Sequence, residues 1–332
     1  MDRAARARFG LQAQAPASEE GDPRIRVSLA GLRALEGDAR RLTFLPRQPA
    51  RSVLNGRHAS RLRGRGLNFE ELRDYLPGDD VRAIDWKVTA RTGKPHVRVM
   101  TEERDRPALI VVDQRMSMFF GSVHAMKSVT AAEAAALAAF AILGQGDRVG
   151  GIVFGDAEIA EVRPQRTRAA LDRFLAVLAE ANGALGAEAP AATPLPLNDV
   201  LRAVSRIAPR NHLVLVISDF DAIDETTDRL VDAIARRNDL VLVLVSDPLA
   251  GDLPAGLRLV VSDGALQAEI DTDDRTTHMR LAQMAKGRLA AVMDWQRSLG
   301  VPVLPLSTAE ETLPQVRRLM GLGPGARRGG RP

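Results

Sequence analysis

Three short apolar runs, each ending on a side chain that carries oxygen, constrain this chain more than any other feature. Ala108–Val112 stops at Asp113, His212–Ile217 at Ser218-Asp219, and Leu240–Val245 at Ser246-Asp247. Runs of Val, Leu and Ile without polar alternation suit strands buried on both faces, as in parallel sheets. Helical patterns lie between and around them, at Lys127–Leu143, Thr167–Leu178, Leu197–Ile207, Thr227–Arg236, Arg275–Leu299 and Glu310–Leu319. In the second of these, Ala170, Leu171, Phe174, Leu175 and Leu178 form one apolar stripe at helical spacing. Further strands are predicted at Arg148–Phe154, Glu158–Val162, Leu257–Val261 and Val301–Leu306. Short strands alternating with helices define an α/β domain over 107–320, a mostly parallel sheet with flanking helices. Aromatic residues make up only 4% of the chain, so its core must be aliphatic.

Ahead of residue 107 the texture differs. Residues 1–24 have no periodic apolar face and read as a disordered arm. Residues 25–106 read as a small basic region, with a short helix beginning near Ser28 and an arginine-rich stretch from Arg40 to Arg65. Phe69, Leu72 and Leu76 have the spacing of a helical turn. Val81, Ile84 and Trp86 supply a small apolar anchor, and the alternation from His96 to Met100 reads as a strand. Residues 322–332 form a Gly/Arg/Pro tail, giving a flexible end over 321–332. Charge is sorted along the chain: residues 1–106 carry seven more basic than acidic side chains, and 107–332 carry three more acidic than basic.

Several functions are disfavoured at once. With no cysteine there is no disulfide framework, thiolate metal site or cysteine nucleophile. No G-x-G-x-x-G follows the first strand and no G-x-x-x-x-G-K-[ST] occurs, so a dinucleotide site and a P-loop are unsupported. Without G-x-S-x-G or a motif that sets a histidine or lysine base beside a nucleophile, a hydrolase is disfavoured. Arg40–Arg65 could track phosphates, which makes a nucleic-acid-associated protein the alternative. The stretch lacks interleaved aromatics, so tight nucleic-acid binding is not expected. No apolar run reaches the roughly 20 residues that span a bilayer, and the N-terminus has no secretory apolar core. A cytoplasmic protein without an integral membrane segment is the expectation.

In open α/β sheets, ligands favour the carboxyl ends of the strands. Three polar groups should meet there: Asp113 through Ser117, Thr193 in the loop before Leu197–Ile207, and Ser218 through Asp221. Aspartates with hydroxyls form an oxygen-rich set of the kind that suits magnesium. The same residue types also cap helices at strand–helix junctions.

The segment LIVVDQRMSMFFG with Lys127, and VISDFD at 216–221, resemble two motifs of the von Willebrand factor A fold. FEELRDYLPGDDVRAIDWKVTARTG, within 64–98, closely resembles the signature of the bacterial family catalogued as domain of unknown function 58. The resemblance covers about residues 55–320. It implies a von Willebrand factor A-like domain of Rossmann-type topology, non-enzymatic adaptor work, and a MoxR-type AAA+ ATPase, or that ATPase's substrate protein, as partner.

The fold's first motif is D-x-S-x-S, and it implies a metal set at Asp113, Ser117, Thr193 and Asp219. Arg115 departs from the pattern where serine is expected. Guanidinium has no acceptor atom and keeps its charge. It either pairs with Asp113 or Asp219 in place of a cation, or points outward and leaves a depleted ligand set. The expectation is a degenerate metal-ion-dependent adhesion-type site with weak or no Mg²⁺, no other cofactor, and better Mg²⁺ binding after Arg115→Ser. Candidate docking residues are Met116, Met118, Phe119 and Phe120 beside that site. In the signature they are Arg73, Arg82, Lys87 and Arg91, whose bland reading is an ion-pair network around Trp86.

Overall fold

Ser28 starts the first helix as its side chain allows, accepting the Gly31 N–H and capping α1 (Leu29–Ala34). Helix α2 (Glu36–Ala39) follows directly, and the pair buries Leu32, Ala39 and Leu42. The computed structural model describes residues 21–40, 42, 67–77, 79–102, 107–186, 193–250, 258–262, 267–271 and 275–321. The arginines from Arg41 to Arg65, and most of the expected arm and tail, lie outside the described residues.

The chain divides into two units, Met1–Phe44 with Arg106–Pro332, and Leu45–Asp105. The expected 25–106 region is therefore not one body, because residues 25–44 belong with the α/β unit. In the smaller unit, β1 (Leu67–Asp74), α3 (Trp86–Thr92) and β2 (His96–Glu102) surround one antiparallel pairing. The helical reading of Phe69, Leu72 and Leu76 is incorrect. The segment pairs with β2 from Leu67 opposite Glu102 to Asp74 opposite His96, and this ladder outweighs a spacing shared by only three residues. Asp85 caps α3 by accepting the Lys87 and Val88 N–H groups, and Gly93, at φ +75°, ends it.

In the larger unit the expected strands and helices follow in order. They are β3 (Ala108–Asp113), α4 (Lys127–Gly144), β4 (Val149–Phe154), β5 (Ile159–Gln165), α5 (Arg168–Gly183), α6 (Leu197–Ile207), β6 (Leu213–Ser218), α7 (Glu225–Ala235) and β7 (Asp239–Ser246). A hairpin of β8 (Arg258–Ser262) and β9 (Gln267–Asp271) comes next, then α8 (Arg275–Leu299), β10 (Val303–Ser307) and α9 (Thr312–Leu319). Six strands form one sheet in the order β10-β7-β6-β3-β4-β5. Every neighbouring pair is parallel except β4 with β5. This is a mixed, mostly parallel α/β sheet of general Rossmann-like kind. Strand β8, expected near Leu257–Val261, pairs with β9 outside this sheet.

Each residue of β3, β4 and β6 is buried, as their unbroken apolar runs require. Leu109 and Val111 pack with α6, α7 and the end of α8, where Val200, Val204, Val231, Ile234, Val292 and Trp295 complete the core. On the other face α5 lies close to β4. A Cβ on Gly151 would sit 2.2 Å from the Phe174 ring, so only glycine admits that approach.

Fifteen of the 18 residues of α4 are buried, which suits a helix that is apolar on every side. By length and composition it is the one helix among the described residues that could cross a membrane, and 78% of that window is buried inside the protein. The edge strands β5 and β10 each contain a proline, Pro164 and Pro305.

Candidate functional site

From β3 the chain passes through α4 to β4 on one side, and later enters β6 on the other. Strand order reverses between β3 and β6, and the crevice outside their carboxyl ends is where such sheets bind ligands. Asp113 ends β3, Ser218 ends β6, and Asp219 follows at once. The turn after β6 is unusual, with Phe220 at φ +53° and Ala222 at φ +57°. Non-glycine residues seldom adopt that conformation. Burial of Phe220 and its edge-to-face contact with Trp295, 5.9 Å between ring centres, hold it there.

Asp113 has no exposed surface, and its carboxylate is fully engaged. Oδ1 accepts the Arg115 backbone N–H and Nε, each at 3.0 Å. Oδ2 accepts Arg115 Nη2 at 2.7 Å and the Ser218 hydroxyl at 2.6 Å. Ser218 Oγ in turn accepts the Phe220 N–H at 2.9 Å. The Arg115 guanidinium stacks 5.4 Å from the Phe154 ring centre and donates to the Leu195 carbonyl at 3.3 Å. Arg115 is 3% exposed, so it points into the site and pairs with Asp113.

A second cation holds the second carboxylate. Lys127 Nζ lies 2.6 Å from Asp219 Oδ2, where the start of α4 faces the end of β6. Arg288 on α8 reaches the same oxygen at 3.8 Å and also bonds to Asp221. Three carboxylates thus face three side-chain cations in one cluster. Burial pushes the Asp113 carboxyl up, against the pull of Arg115 and the Ser218 hydroxyl. Burial works on Asp219 in the same sense, but Lys127 and Arg288 outweigh it and hold that carboxyl below its ordinary value.

The other expected ligands do not join. Thr193 is exposed, and among the described residues of its loop the Leu195 carbonyl is what reaches the cluster. Ser117 Oγ is buried with no hydrogen-bond partner among the described residues. No group of three or more His, Asp or Glu suited to a metal occurs among them either. The donor set does not fit a divalent ion, because Arg115 and Lys127 already sit at ion-pair distance from both aspartates.

Asp247, directly after β7, is held by neutral donors among the described residues. It accepts the Ser122 N–H (2.8 Å), the hydroxyls of Ser122 (2.6 Å) and Thr308, and the Leu249 N–H (2.9 Å). Burial opposes ionisation here too, yet these donors hold the carboxyl low.

The proposed docking residues separate. Met118 has no exposed surface, so it offers nothing for a partner to dock on. Met116 and Phe119 are half-buried, and Phe120 is 38% exposed. In the smaller unit Arg82, Lys87 and Arg91 are exposed, while Arg73 makes a two-pronged pair with Asp79 at 2.7 Å on each prong. Trp86 and Val81 are 65% and 56% exposed, so they do not form the expected apolar anchor. From the sequence, Ser218 was one oxygen of the strand-end set and Lys127 part of a resembling motif, while Arg288 and Asp247 had no assigned role. The nearest signal for Asp247 was its position beside a strand end.

Fold and cluster together define an α/β protein whose strand-end crevice is filled by its own ion pairs. The chain belongs to the family described as Protein of unknown function DUF58, whose model matches residues 71–292. Over 303 residues, 90% of both chains, it is 32% identical to Uncharacterized protein Rv1480 of Mycobacterium tuberculosis. The same figures hold for Uncharacterized protein Mb1516 of Mycobacterium bovis. Among solved structures, BatB from Bacteroides thetaiotaomicron aligns with a TM-score of 0.39 at 12% identity, covering 64% of this chain and 95% of that one.

Proposed function

We propose that the protein is a non-enzymatic interaction or adaptor module, cytoplasmic, working with a MoxR-type AAA+ ATPase or that ATPase's substrate protein. In this reading the α/β unit is von Willebrand factor A-like and the cluster is a degenerate metal-ion-dependent adhesion-type site. The observation that carries it is the Arg115 guanidinium on Asp113, with Lys127 on Asp219, at the strand ends where ligands are held. Mg²⁺ is weakly bound or absent, since a further cation there would meet the fixed charges of Arg115, Lys127 and Arg288 at short range. Catalysis is not supported by these contacts. The Ser218 hydroxyl donates to Asp113, a carboxylate already held by the Arg115 guanidinium, and no histidine lies in this contact set among the described residues. ATP-dependent work therefore falls to a partner, and the resemblance of 64–98 is the ground for naming an AAA+ ATPase.

The test is direct binding between the full-length protein and a purified MoxR-type ATPase in ATP-analogue, ADP and nucleotide-free states. Saturable binding that depends on the nucleotide, and survives prior treatment of this protein with EDTA, is expected. Absence of binding in all three states would refute the assignment of partner.

A further inference from the structure

Residues 21–40 and Leu42 lie outside the stretch matched by the family model, yet residues among them bond to either side of the charge cluster. The Arg24 carbonyl accepts the N–H of Met126, the residue before Lys127, at 2.9 Å. The Val27 N–H donates to Asn182 Oδ1 at 2.8 Å. Asn182 Nδ2 donates to Gln114 Oε1 at 2.9 Å, and Gln114 Nε2 to the Ser128 carbonyl at 3.0 Å. Gln114 stands between Asp113 and Arg115, and Ser128 follows Lys127. A relay of two side-chain amides therefore joins the N-terminal segment to both ion pairs. Asn182, Gln114 and Ser128 are at most 1% exposed. Only this orientation of both amides gives every nitrogen an acceptor.

Arg26 Nη2 also donates to the part-buried Leu185 carbonyl at 3.0 Å, and Leu32, Ala39 and Leu42 are buried; the segment's remaining ion pairs are peripheral. Arg33 pairs with Asp172, Arg168 with Glu36, and Arg317 with Asp38, all on partly exposed side chains. Such pairs hold weakly and yield to competition. The buried relay behaves differently, because an amide left unsatisfied there is costly. By chain connection the segment leads into the Leu45–Asp105 unit.

We propose that residues 21–40, with Leu42, form a displaceable latch on the charge cluster. Seated, the latch fixes Gln114 and Met126, and through them Arg115 and Lys127 on their aspartates. Unseated, it frees Lys127 and loosens the turn that carries Arg115. A partner that grips this segment, or the unit it leads into, thereby opens the strand-end site. The inference does not depend on which protein the partner is.

Hydrogen exchange on the full-length protein tests it, using Asn182→Leu, which deletes two of the three relay bonds, and Val27→Pro, which removes one donor. Ile234→Val, buried on the opposite face of the sheet, is the control. In both relay variants, exchange is expected to rise together at residues 24–32 and 114–130, on the order of ten- to a hundred-fold, the effect of leaving a buried amide unpaired. Acylation of Lys127 by an amine-reactive ester should rise with it, while the exposed Lys87 and Lys94 label as before. The control should change neither readout. Faster exchange confined to residues 24–32, or unchanged Lys127 labelling, overturns the proposal. If Asn182→Leu does not fold, Val27→Pro decides the matter alone.

Discussion

Replacing Arg115 by serine would leave a carboxylate with no exposed surface facing the space a guanidinium had filled. Two of the bonds on Asp113 survive, from the Ser218 hydroxyl and from the backbone N–H of residue 115. Removing one partner of a buried pair costs about 3–5 kcal/mol, and the surviving bonds place this case near the lower end. At roughly 2–4 °C per kcal/mol for a domain of this size, Tm should fall by about 6–12 °C, measured by calorimetry at pH 7. The sign of the pH dependence follows from Asp113. Burial already holds its folded pKa above the ordinary value of about 3.9, and loss of Arg115 raises it further. A raised carboxyl contributes stability below the unfolded value and loses it as pH rises through the folded one. The deficit should therefore be smallest near pH 4 and largest at neutrality, and Asp113→Asn combined with Arg115→Ser should recover at least half of it. Mg²⁺ at a hundred times its Kd would return about 2.7 kcal/mol to a variant that binds it. Arg115→Ser alone should not respond, because Lys127 still occupies Asp219, so the improvement expected from sequence should require Lys127→Met as well. A Tm within about 1 °C of the native protein for Arg115→Ser, or a native Tm that climbs with Mg²⁺, would refute the reasoning.

Burial pushes Glu133 up, only partly opposed by the Thr312 hydroxyl, so native stability should decline as pH rises through its folded value. Glu133→Gln should abolish that slope and stabilise the protein at pH 7 by up to about 1 kcal/mol in urea denaturation. Asp247 is the opposite case, a carboxyl held low whose stabilisation is present above the unfolded value and lost as pH falls through the folded one. Asp247→Asn should cost about 1.5–3 kcal/mol at pH 7, because an amide cannot accept at both ends. In the smaller unit the Arg73 side chain and the Leu76 N–H lower Asp79 to about 2. An NMR titration of its carboxyl carbon should show that midpoint, and Arg73→Gln should return it toward the ordinary range.

Strands buried on both faces are legible because nothing polar interrupts them, and Ala108–Val112, His212–Ile217 and Leu240–Val245 all fall in the main sheet. The long helices are legible for the complementary reason, an apolar stripe repeated over several turns, and α6 and α8 have the expected limits. Residues 67–74 misled because three apolar residues satisfy a helical spacing as easily as a pleat, and the deciding term is a partner strand some thirty residues away. At the site, Asp113, Arg115 and Asp219 were visible as strand-end residues. The cation on Asp219 was not, since Lys127 lies 92 residues earlier and only the packing of α4 against β6 brings it there. Thr193 misled because loop register has no periodicity to read.

The prolines at the two sheet margins carry a consequence for recruitment. A foreign peptide that extends a sheet needs an uninterrupted row of backbone donors and acceptors. Pro305 on one margin and Pro164 on the other each remove a donor, and Glu161 and Arg163 add charge beside the second. Neither margin offers a clean seam for grafting another strand, whether from a client protein or from a second copy stacking toward a fibre. Among the described residues of the α/β unit, contact then falls to the loops at the strand ends, the outer helices or the separate β8–β9 hairpin, and the charge cluster lies at the first of these.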